Sequence, residues 1–230
     1  MNQIKLENVK FTAPYERVRE GDDNKYNCGI NLQSSDSVVI NNVILTEEAC
    51  AGTRYNAIEI DLENKKGVRC VDINNLRIEG KLMNNGILIF NLQDNAVVNI
   101  KNVYMKSVSN PIRISNSLNA KTITVNVENV TIDEWDSSEA WRGFILLEDY
   151  TSPDEAQALE NNLFAKDKIT INIKNLVHAG VKVEPKTDDE IFGYHENRVI
   201  LRCIDNVDSG TNTNIYSAET RGMYPTVKFE

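Results

Sequence analysis

Paired cysteines are missing from this chain: Cys28, Cys50, Cys70 and Cys203 lie far apart, with no CxxC spacing among them. Zinc-type spacing is thereby excluded, and the four thiols are expected reduced and buried as small core residues in a cytosolic protein. Histidine is scarce. His178 and His195 stand apart from any pair of aspartates except the TDDE run at 187–190. A P-loop, a dinucleotide glycine fingerprint and a nucleophile elbow are all lacking, so the sequence gives no support for nucleophilic catalysis. No apolar run nears the roughly 18 residues that span a bilayer. The opening MNQIKLENVK lacks the basic and apolar regions of a secretory leader, so synthesis in the cytoplasm is expected. Positive charge is short too: 25 Lys and Arg face 34 Asp and Glu, a net charge of −9. Nucleic-acid binding needs a basic face and is not expected. The acids are dispersed, which suits a solvated surface or the recruitment of a basic partner. Asp22–Asp23 and Asp188–Asp189 are the nearest approach to calcium ligands, and adjacency alone does not make such a site. No metal or cofactor is expected.

What the chain has in quantity is a repeat. IKLENVKF (4–11), VVINNVIL (38–45), VDINNLRI (71–78), VNIKNVYM (98–105), VNVENVTI (125–132) and INIKNLVH (171–178) share one pattern. It reads apolar, any, apolar, any, Asn, apolar, any, apolar. The asparagines are Asn8, Asn42, Asn75, Asn102, Asn129 and Asn175, and a weaker copy, LRCIDNVD, adds Asn206. A shorter phrase precedes most copies: GINL, AIEIDL, GILIFNL, NPIRIS, GFILLE and NRVILRC. Both alternate at period two and are rich in Ile and Val, which predicts strands with one face buried.

The asparagine breaks that alternation. Val98 and Ile100 before it, and Val103 and Met105 after it, cannot share one face of a straight strand. A single left-handed residue turns the chain so that both sets meet one interior, and asparagine tolerates that conformation. Its side chain is expected to hydrogen-bond to the next copy, forming a ladder. Three strands per turn, stacked about 4.8 Å apart, predict an all-β, right-handed parallel β-helix of about seven coils. On this repeated corner the chain resembles the pectate-lyase-like β-helix superfamily, closest in style to β-helix proteins of phage virions. The resemblance implies a structural Asn ladder and a tendency to form homotrimers. It does not fix the chemistry, since the superfamily includes lyases, hydrolases and non-enzymatic proteins. Its lyases use Asp-held calcium and an arginine base. Here the outward positions before the corner, Asn74, Lys101, Glu128 and Lys174, form no carboxylate stack.

A single domain over 1–230 is expected, with core coils at about 4–207, a fifth-coil insertion at about 133–168 and a tail at 208–230. Other excursions fall at 12–28 and 46–56. In the insertion, Ser152, Pro153 and Glu155 form a helix-start signature, and Ala156, Leu159 and Leu163 share one face. Both tryptophans, Trp135 and Trp141, also lie there, flanked by Glu134, Asp136, Glu139, Glu148, Asp149 and Tyr150. Aromatic faces beside carboxylates suit glycan binding, and paired carboxylates suit glycoside hydrolysis. Equally, the tryptophans would anchor the insertion to the rod or fill a subunit contact, leaving the acids solvated. The repeat opens at residue 4 without a cap of its own, and an open coil end favours association. The expectation is a non-enzymatic structural or interaction protein, such as a virion accessory, self-associated (a trimer by resemblance) or held in a larger assembly. The alternative is a polysaccharide-binding or polysaccharide-degrading protein that uses the tryptophan insertion. No membrane partner is expected.

Overall fold

The computed structural model describes residues 2–13, 15–18, 25–33, 36–50, 56–61, 67–80, 83–115, 121–135, 142–151, 168–195, 198–207, 211–214 and 225–230. The predicted helix at 152–163 and the acids at 22–23 lie outside them. The architecture is all-β: strands stack mainly in parallel into one 15-stranded sheet that wraps nearly closed around a single apolar core.

Two columns of strands build that sheet. The first stacks β1 (Gln3–Phe11), β4 (Ser37–Leu45), β6 (Val68–Ile78), the first half of β8 (Leu92–Ser115), β9 (Ile123–Trp135), β11 (Ile169–His178) and β15 (Thr226–Phe229). The second stacks β3 (Lys25–Leu32), β5 (Asn56–Ile60), β7 (Met83–Phe90), the second half of β8, β10 (Ile145–Thr151) and β13 (Leu201–Val207). These are the longer and shorter sequence phrases. β2 (Tyr15–Val18), β12 (Val181–Lys182) and β14 (Thr211–Asn214) pair antiparallel against them. Because β8 runs through both columns, it ties them into one sheet.

The asparagine corner is present in the six full copies. Asn8, Asn42, Asn75, Asn102, Asn129 and Asn175 all have φ between 52° and 56°. Each turn re-aims the chain by one position, so both arms send their apolar residues inward. Val98, Ile100, Val103 and Met105 are at most 2% exposed, as are their counterparts Val125, Val127, Val130 and Ile132. Burial of each such side chain contributes about 1.5–3 kcal/mol, the main force holding coil to coil. β1 differs: Ile4, Leu6, Val9 and Phe11 are only half buried, and among the described residues its other edge has no strand.

The ladder joins side chain to side chain. Asn42 Nδ2 donates to Asn8 Oδ1 at 2.7 Å, Asn129 to Asn102 at 3.0 Å, and Asn175 to Asn129 at 2.9 Å. In the middle the series steps aside, and Asn102 donates to Asn74 rather than to Asn75, at 2.8 Å. Asn206 departs from the expected series altogether. It lies in β13 opposite Tyr150, in the second column, because LRCIDNVD registers with the shorter phrase.

A second corner escaped the sequence reading: Asp61 and Asn91, just past β5 and β7, have φ of 65° and 56°. β5 is also buried on both faces, and outward polar residues of this column such as Glu59, Glu148 and Arg202 are enclosed. The inner face stays thin where Gly29, Ala57 and Gly86 align, because a Cβ on Gly86 would lie 2.6 Å from the Met105 sulfur. The one helix among the described residues, α1 (Asp188–Phe192), begins at Thr187, whose hydroxyl accepts from Glu190 N at 3.3 Å while Glu190 reaches back to Lys186 N at 2.7 Å. The TDDE run is therefore a helix start. Of the cysteines, Cys50 and Cys203 are buried, and burial raises the Cys50 pKa to about 11 and pushes Cys203 up further. Cys70 is only half buried, with Sγ 3.4 Å from Asp72, and the side chain of Cys28 lies outside the described residues.

Candidate functional site

β9 ends by placing Glu134 beside Ser107 and Trp135 beside Val108 of the next coil. The period-two alternation breaks after Ile132, so that Asp133 and Glu134 are both exposed and Trp135 is buried. His178, the last residue of β11, comes up against the same indole. These residues border a cleft of about 410 Å³ that Asn84, Ser109 and Arg142 complete.

Trp135 is packed as a core residue. The side chain is 5% exposed, and its ring meets Phe144 and His178 edge-on, with centroids 5.8 Å and 5.4 Å away. Its indole nitrogen Nε1 is buried and has no hydrogen-bond partner among the described residues. Burial, and secondarily the charge of Arg198, push the His178 pKa below its ordinary value, so the imidazole is neutral near pH 7. Glu134 and Arg142 are the charged members of the lining, one of each sign.

Other predicted site residues separate from this group. Asp136, Glu139 and Trp141 lie outside the described residues, and Tyr150 is described only as backbone within β10. Glu148 is not a solvated neighbour of the tryptophans. It is 4% exposed, accepts from Arg113 Nε at 2.7 Å and from Ser115 Oγ at 3.0 Å, and is also bonded to Arg113 Nη2. The carboxylate and guanidinium desolvate each other and form a structural pair.

The outward positions before the corner hold their coils together. Glu128 bridges Lys101 and Lys174, each at 3.1 Å, and these hydrogen bonds hold its carboxyl below the usual range. Two residues earlier in each arm, Asn172 donates to Asn126, Asn126 to Asn99 and Asn99 to Asp72, at 2.8, 2.8 and 2.6 Å. This second ladder was legible in the recurring VNI, VNV and INI. Among the described residues, no group of three or more His, Cys, Asp or Glu is placed to hold a metal ion. His195 lines a separate surface groove of about 330 Å³ beside Lys182, Glu184, Lys186, Glu190 and Arg198. There Glu184 is paired with Lys182 and Glu190 caps α1. No protein-family model, curated protein or solved structure matches this chain.

Proposed function

We propose that this chain is a right-handed parallel β-helix of about seven coils that serves as a non-enzymatic structural or interaction protein. One observation carries the reading. Outward polar positions, where a solenoid enzyme would assemble its catalytic groups, are taken up by coil-to-coil ladders of asparagine and of Lys101, Glu128 and Lys174. A virion accessory, such as a capsid decoration or a fibre-like component made in the cytoplasm, is the setting that the family resemblance favours. Self-association is supported by β1, whose Ile4, Leu6, Val9 and Phe11 stay half exposed where the same residues of β4 are fully buried. Trimerisation is the stoichiometry the resemblance favours. Light scattering during gel filtration tests this: a stable particle near three times 26.0 kDa is expected. A monomer at every concentration would remove self-association from the account.

A second reading, glycan binding by the tryptophan insertion, is favoured by the meeting of Glu134 and Trp135 at one cleft.

A further inference from the structure

We infer that the cleft at the end of β9 binds one neutral sugar ring, anchored by the indole N–H of Trp135. This rests on the glycan-binding reading and narrows it to particular atoms. A buried N–H without an acceptor is costly and uncommon, so Trp135 Nε1 calls for an oxygen from outside the chain. The same indole borders a cleft of about 410 Å³, toward the lower end of the range of small-ligand sites. The lining then selects the class of ligand. Glu134 and Arg142 balance each other, and His178 is neutral near pH 7, so neither an anion nor a cation is favoured overall. Asn84, Ser109 and the neutral His178 each donate and accept hydrogen bonds. A sugar hydroxyl also does both, and a ring of them matches such a lining. The indole ring is already engaged in T-shaped contacts with Phe144 and His178, and the group it has left to offer is its N–H.

The test is a ¹⁵N-correlated NMR titration of the full chain, with the two indole N–H signals assigned through Trp141→Phe. Glucose, galactose and N-acetylglucosamine are the probes, with glucuronate as a charged control. The expected result is a saturable shift of the Trp135 signal with at least one neutral sugar and a smaller response to glucuronate. Ser109→Ala, shown to be folded by its spectrum, should weaken that binding about tenfold, the effect of one lost hydrogen bond. A shift of the Trp141 signal alone would overturn the cleft assignment while leaving glycan binding in place. A glucuronate response equal to or stronger than the neutral sugars' would overturn the neutral-ligand assignment. If no sugar moves either indole signal, both the inference and the reading beneath it fail.

Discussion

Asparagine at the corner combines two properties that no other single residue supplies in this setting. It accepts φ near 54°, and its carboxamide both donates to one coil and accepts from the next, as Asn129 does between Asn175 and Asn102. Alanine at that position would lose both properties, since a left-handed L-residue costs about 1–2 kcal/mol and each exposed ladder bond less than about 1. Asn129→Ala is therefore expected to destabilise by about 2–3 kcal/mol in urea unfolding. Asn129→Gly, which relieves the backbone strain alone, should recover about half of that. Equal stability of all three proteins would contradict the corner argument. The corner was legible because a three-position gap between Ile100 and Val103 has no straight-strand solution. The swap from Asn75 to Asn74 was not, because the sequence writes both as asparagine and only the coil offset decides which carboxamide lies within reach.

Among elements, the second column was the harder to read. Its phrases showed alternation, yet β5 and β10 are buried on both faces, and side chains that look solvent-facing in the sequence are enclosed. Glu148 is the clearest case. Read beside Trp141, it was one more surface acid; stacked over Ser115 by parallel register, it becomes the buried partner of Arg113. Register between distant phrases is a tertiary fact, and local pattern does not carry it. Glu148→Gln leaves the Arg113 guanidinium without its counter-charge. Arg113 is 20% exposed, so the lower part of the range for broken buried pairs applies, about 2–3 kcal/mol. The double variant Arg113→Leu with Glu148→Leu should regain most of that loss in the same unfolding experiment. A single variant as stable as the parent would show that the pair contributes nothing. The start of α1, by contrast, is written locally: Thr187 and Glu190 have capping-box spacing.

At the scale of the whole molecule, the coils form a stack whose apolar interior runs from β1 to β15 and whose surface is stitched by rows of amide and charged side chains. The all-β, mainly parallel architecture and most of the corner column could be read from the repeat. The cleft could be read only in part, since Glu134 and Trp135 are sequence neighbours while Asn84, Ser109 and His178 arrive from other coils. The proposed scaffold role depends on the rows being real bonds between coils. The direct measurement is hydrogen exchange of the asparagine side-chain NH₂ groups by NMR. Asn99, Asn126 and Asn172, with Asn102, Asn129 and Asn175, should exchange more slowly than free side-chain amides, by up to about fivefold, as a net bond of up to about 1 kcal/mol requires. Exchange at the free rate throughout both rows would mean that the coils are not tied through their outward positions, and the scaffold account would fall with them.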